Sequence, residues 1–231
     1  LVIGSAQNDT VVAASTGSTI LAGGGNDTLT GADGADVLNG GDGDDTIVTG
    51  LGADQVTGGL GSDIADYRNS NAAITITNNG TVSSGGWAAG DVLSGIEVIY
   101  GSANYGDTLR GGSTAASSLL GWGGNDTFVS FGQADNIEGG TGSDTIDYSG
   151  SLAAVTVQLD GTASSGGDAE GDTIIGVERV IGSAQADTLI GAGFNETLTG
   201  GAGDDTLIGG SGADTLDGGS GFDTADYSSA G

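Results

Sequence analysis

Carboxylates recur along this chain every nine residues, each two residues ahead of an apolar side chain and behind a run of glycines. The clearest stretch is Gly200-Gly201-Ala202-Gly203-Asp204-Asp205-Thr206-Leu207-Ile208, followed directly by Gly209-Gly210-Ser211-Gly212-Ala213-Asp214-Thr215-Leu216-Asp217. The phase runs through seventeen units, with the acid at Asp9, Asp27, Asp36, Asp45, Asp54, Asp63, Asp107, Asp126, Asp135, Asp144, Asp187, Asp205, Asp214 and Asp223. Ser18, Ser117 and Glu196 replace it in three units, whereas the apolar position is filled in all of them. Hard oxygen donors at this density suit a hard cation. Calcium accepts six to eight such ligands in flexible geometry, while magnesium keeps its waters and a stricter octahedron. Zinc and copper lack their preferred partners here, because the chain has neither His nor Cys.

Those carboxylates need an element that holds them in line, and a short fixed period of this kind marks a solenoid. Three residues around the apolar position form a short strand and the other six a turn. Two units then make one coil of eighteen residues, with strands on opposite walls and apolar side chains meeting inside. Successive coils stack at ~4.8 Å through parallel ladders, so turns two units apart also stack. Asp9, Asp27, Asp45 and Asp63 fall in one column, and Asp36 and Asp54 in the opposite one. Asp126 with Asp144, and Asp187 with Asp205 and Asp223, continue the pattern. Carboxylates stacked this closely repel strongly unless a cation lies between them. An isolated Gly-x-Asp is ordinary turn chemistry; an array held in phase is not.

Three blocks carry the repeat: residues 4–66, with seven units; 101–147, with five units and two extra residues; and 182–227, with five. Two 34-residue inserts, 67–100 and 148–181, separate them and match each other at an offset of 81. Each contains a hairpin dipeptide, Asn79-Gly80 or Asp160-Gly161. An irregular coil that continues the solenoid and binds calcium through Asp91 or Asp172, and a simple surface hairpin, are equally compatible with them. The opening residues match the end of an insert and the final ones the start of another, so a piece of a longer array is expected. Ser18 and Ser117 predict weak or empty positions beside Asp36 and Asp135. The extra residues near Gly106 and Gly111-Gly112 predict that Asp107 slips out of register with Asp126.

Composition narrows the functional classes. The 231 residues carry a net charge of −28, from 31 acids against three bases, with 50 glycines and no Pro, Cys, Met or His. Low hydrophobicity with high charge resists folding, and glycine adds backbone entropy cost, so cations must offset both. Three arginines form no basic patch, which excludes nucleic acid. No apolar run approaches the ~18 residues of a membrane span, and the first residues do not read as a signal peptide. Without His, Lys or Cys, serine nucleophiles lack a usual base. Each carboxylate pair that might cleave a glycoside is better explained as a metal ligand, so no catalytic residues are assigned. Trp87, Trp122, Phe131, Phe194 and Phe222 fall in turns, where local packing is favoured over sugar stacking because no polar cluster accompanies them.

The pattern Gly-Gly-x-Gly-x-Asp-x-U-x, with U apolar, resembles the RTX (repeats-in-toxin) family of calcium-binding secreted proteins, over about two thirds of the chain. The resemblance implies an all-β, right-handed parallel β-roll with stacked glycine-rich turns and several bound calcium ions. It carries over as ligands the fourteen aspartates named above, with Glu196 on a longer arm. It also implies backbone carbonyl ligands from Gly23, Gly25, Gly41, Gly43, Gly59, Gly61, Gly140, Gly142, Gly201, Gly203, Gly210, Gly212, Gly219 and Gly221. Export as an unfolded chain through a type I channel of a Gram-negative-type bacterium, then calcium-driven folding outside the cell, is the implied setting. The expected role is a folding and spacer module of a large secreted protein. The alternatives are a surface module of an adhesin, S-layer or polysaccharide-binding protein, with cell-surface glycans or further copies as partners, and an accessory domain of a secreted hydrolase or epimerase.

Overall fold

The structure is a computed structural model and describes residues 1–78 and 80–228. Among these, twenty-four short strands and two single 3-10 turns, Gly86–Ala88 and Gly167–Ala169, make up the regular structure. Every pairing between named strands is parallel, and the usual register offset is eighteen residues: Leu29 faces Ile47, and Leu38 faces Val56. The chain is therefore a β-solenoid, as the period predicts, and agrees with the β-roll that the resemblance implies. Three-residue strands alternate with turns because each unit supplies one inward apolar side chain, flanked by β-branched threonine at Thr28, Thr46, Thr206 and their equivalents.

The strands form two walls. The first joins a five-stranded sheet ending at Val92–Ser94 to a seven-stranded sheet starting at Thr75–Thr77. Residues 82–84 link them edge to edge, through antiparallel bridges Val82 to Val92 and Ser84 to Thr75. The second wall joins an eight-stranded sheet ending at Thr173–Ile175 to a four-stranded one starting at Thr156–Gln158. Its link is the antiparallel bridge Thr156 to Ser165, with the Ser164 N–H donating to Asp172 O at 2.7 Å.

Segments 67–100 and 148–181 thus contribute a hairpin and also strands that run within the walls. The two matched hairpins lie on opposite walls, because the chain crosses between the walls seven times, an odd number, from Val92–Ser94 to Thr156–Gln158. Gly80 and Gly161 take φ of 77° and 82° at the hairpin tips, as the dipeptides predict; Asn79 lies outside the described residues.

Inside the coil, the core is one apolar layer from each wall. Ile20, Leu29, Leu38, Ile47, Leu109, Phe128, Leu189 and Leu198 are all fully buried. Phe128 and Phe222 show the contrast of position: the first fills the interior, while the second, in a turn, is 89% exposed. Of the other turn aromatics, Trp87 packs against the core, while Trp122, Phe131 and Phe194 stay exposed. About one buried apolar side chain for every eight described residues is a thin core for so glycine-rich a chain.

Candidate metal centre

The turns position the carboxylates through one repeated hydrogen bond. Each aspartate turns one oxygen back to the preceding coil, where Oδ1 accepts the N–H of the residue at the equivalent position. Asp9 N–H donates to Asp27, Asp27 to Asp45 and Asp45 to Asp63, at 2.7, 2.7 and 2.8 Å. On the other wall Asp36 donates to Asp54 at 2.8 Å. Further along, Asp126 donates to Asp144, Asp187 to Asp205 and Asp205 to Asp223, at 2.8, 2.7 and 3.1 Å. The columns expected from the period are therefore assembled. Asp107 is also in register: its N–H donates to Asp126 Oδ1 at 2.7 Å, and Leu109 pairs with Phe128. This corrects the expected slip, because the extra residue is absorbed in the turn, where backbone length is unconstrained by the ladder.

The second carboxylate oxygen divides the turns into two kinds. In Asp27, Asp45, Asp54, Asp63, Asp126, Asp144 and Asp205, Oδ2 is buried and has no hydrogen-bond partner. The residue four before each of these has positive φ: Gly23 115°, Gly41 113°, Gly50 93°, Gly59 133°, Trp122 70°, Gly140 104° and Gly201 112°. That conformation turns the local N–H away from the carboxylate. Trp122, alone among the described non-glycine residues in having positive φ, occupies the glycine position of its turn. Its strain is set by the turn's geometry, and Arg68 holds it there, with the guanidinium 5.0 Å from the Trp122 and Tyr100 ring centres. Asp214 and Asp223 share the turn type, with Gly210 at 84° and Gly219 at 89°.

Elsewhere a neutral donor takes the second oxygen. Ser5, Ser102 and Ser183 donate their N–H to Oδ2 of Asp9, Asp107 and Asp187, each at 2.6 Å. The Ser130 hydroxyl donates to Asp135 at 2.9 Å, and Ala32 N–H to Asp36 at 3.3 Å. In Glu196, Oε1 accepts the Phe194 N–H at 3.0 Å while Oε2 is buried and unpartnered. Asp36 and Asp135 do stand one rung above Ser18 and Ser117, whose N–H groups donate to their Oδ1 atoms.

Seven buried aspartate oxygens without donors in one chain demand an electrostatic partner, since each costs free energy unless compensated. Burial raises the Asp54 and Asp126 carboxyls to about 7 and Asp63 to about 6, with stacked like charges adding to the effect and backbone N–H groups opposing it. Asp45, Asp144 and Asp205 are raised for the same first cause. No three acidic side chains converge on one point among the described residues, so a cation here must draw on backbone carbonyls as well.

The glycines make that possible. A Cβ on Gly41, Gly59, Gly142 or Gly221 would collide with the carbonyl oxygen of Gly23, Gly41, Gly124 or Gly203 in the adjoining coil. These carbonyls thus line the turns at a spacing that side chains would destroy. A donor set of carboxylates and carbonyls, with no nitrogen or sulfur, fits calcium.

Four residues outside the nonapeptide phase also enter the columns. Glu97 and Glu178 accept the N–H groups of Asp63 and Asp144 through Oε2, both at 2.9 Å. Asp91 and Asp172 accept those of Asp54 and Asp135 through Oδ1, both at 2.8 Å. Their signal was in the sequence. Each stands two residues before a buried apolar residue: Ile99, Val180, Leu93 and Ile174. The nine-residue count fails there because Leu93 and Ile99 lie only six apart.

The chain matches the family model of the RTX calcium-binding nonapeptide repeat over residues 3–65, 130–147 and 190–225, just over half of its length. No curated protein matches it. The repeats of this family bind several calcium ions. Stacked glycine-rich turns, unpartnered carboxylate oxygens and the repeat itself agree, and the chain belongs to the RTX calcium-binding nonapeptide-repeat family as a calcium-binding β-roll domain.

Proposed function

We propose that this β-roll is a calcium-triggered folding and spacer module of a secreted bacterial protein. The observation that carries the reading is the set of buried aspartate oxygens with no donor. Without an ion, those buried carboxylates repel and disfavour the roll; with calcium between turns, the same columns hold the coils together. Calcium that binds the folded turns and not the extended chain shifts folding by mass action. Sites of extracellular type, with Kd near 10⁻⁴–10⁻³ M, leave the chain unfolded at intracellular calcium levels and folded outside. That suits export as an unfolded polymer, the setting in which RTX repeats typically occur.

As ligands we assign first the aspartates of the positive-φ turns, Asp27, Asp45, Asp54, Asp63, Asp126, Asp144, Asp205, Asp214 and Asp223, with the carbonyls of their glycines and the Oε2 of Glu196. Asp9, Asp36, Asp107, Asp135 and Asp187 make weaker ligands in this reading, because a neutral donor competes for the second oxygen. Calcium titration followed by far-UV circular dichroism tests the proposal. A chain that gains its β signal cooperatively between about 10⁻⁴ and 10⁻³ M calcium supports it; one that keeps the signal in excess chelator refutes it.

A further inference from the structure

We propose that each junction between a repeat block and the following segment has one more calcium site than the nonapeptides supply, built on Glu97 at the first and Glu178 at the second. On the opposite wall of each junction a tyrosine hydroxyl closes the column without an ion. This rests on the calcium reading above, and extends it to residues that the family match does not reach.

On one wall, the turn ending at Asp63 is of the positive-φ kind, with Gly59 at 133° and Gly61 at 130°, and leaves Asp63 Oδ2 buried and unpartnered. The next coil places Ile99 beside Ala65, which sets Glu97 at the column position. Its Oε2 takes the Asp63 N–H at 2.9 Å, the bond that Asp63 itself makes to Asp45 one coil earlier. The turn before Glu97 is three residues shorter than a nonapeptide turn, and the extra methylene of glutamate carries the carboxylate to that N–H. The Gly95 carbonyl lies where a side chain on Gly58 would be, adding an oxygen to the same corner. The second junction repeats every feature. Asp144 Oδ2 is unpartnered, Glu178 takes its N–H at 2.9 Å, Gly140 and Gly142 have φ of 104° and 146°, and the Gly176 carbonyl abuts Gly139.

The other wall differs in one respect. Asp91 and Asp172 accept the column N–H through Oδ1, as described, but Oδ2 receives a hydroxyl: Tyr67 at 2.8 Å and Tyr148 at 2.6 Å. Both tyrosines and both aspartates are completely or almost completely buried. All the oxygens of these carboxylates are engaged by neutral donors, and an ion could enter only by expelling a buried hydroxyl.

The test is the number of calcium ions retained by the full chain at saturating calcium, measured by equilibrium dialysis with metal analysis. E97A/E178A should retain two fewer ions than the parent, and each single variant one fewer. D91N/D172N should retain the parent number. An unchanged count in E97A/E178A, or a reduced count in D91N/D172N, overturns the proposal. Circular dichroism at saturating calcium identifies any variant that fails to fold; should the double variant do so, the single variants decide. If the parent chain retains no calcium, the family reading itself fails. If the parent binds and the glutamate variants bind equally, only this inference fails.

Discussion

A methyl group at Gly59 should damage the roll far more than one at Gly150. Gly59 has φ of 133°, and its Cβ would strike the carbonyl oxygen of Gly41 in the adjoining coil, whereas a Cβ on Gly150 meets nothing within 4 Å. Alanine in the left-handed region costs about 1–2 kcal/mol. Displacing the coils to clear the carbonyl adds a further 1–3 kcal/mol or so, as for other overpacked interiors. A total near 3 kcal/mol corresponds to a fall in Tm of about 6–12 °C at saturating calcium, for a chain of this size. The calcium midpoint should move much less. If about eight ions enter together, 3 kcal/mol is divided among them, and the midpoint rises only about twofold. Thermal melts and calcium titrations of Gly59→Ala and Gly150→Ala, followed by circular dichroism, measure both quantities. Equal Tm values for the two variants would refute the claim that close carbonyl stacking fixes these glycines. A tenfold or greater midpoint shift in Gly59→Ala would refute cooperative loading.

The pH dependence should change sign with calcium. Asp54, Asp63 and Asp126 are raised to between about 6 and 7 in the fold, so the metal-free roll binds more protons than the unfolded chain between about pH 4 and 7, and its stability falls as pH rises through that window. In calcium the deprotonated oxygens are ligands, so affinity should fall as pH drops below about 7; calcium midpoints at pH 5 and 8, with the residual β signal in chelator at the same two pH values, check both signs. Phe128→Ala should cost about 3–5 kcal/mol, because its ring is fully buried. Trp122→Gly should stay within about 1 kcal/mol of the parent, because relief of the φ of 70° offsets the lost ring contacts with Arg68 and Tyr100; urea melts at saturating calcium measure both variants.

By itself, the order of residues determined the solenoid, its eighteen-residue coil, the columns and the kind of metal. All of these follow from one short period, because a strand of three residues and a turn of six leave no freedom in which side chain faces inward. The hairpins were legible for a similar reason: Asp160-Gly161 and its counterpart favour a tight turn wherever they occur. What the period could not reach was anything settled between coils. Glu97 and Glu178 entered the columns through ladder register, after turns of unusual length had broken the count. Asp107 stayed aligned because a loop can absorb a residue while a parallel ladder cannot.

Only the packed structure distinguished Asp27, with a bare buried oxygen, from Asp187, whose oxygen Ser183 already satisfies. The two share a position in the repeat, but Asp27 follows Gly23-Gly24-Gly25-Asn26 and Asp187 follows Ser183-Ala184-Gln185-Ala186, a substitution whose consequence for the carboxylate the period does not show. Their difference lies in the sign of φ four residues earlier, and so in whether a backbone N–H or an ion must meet the charge.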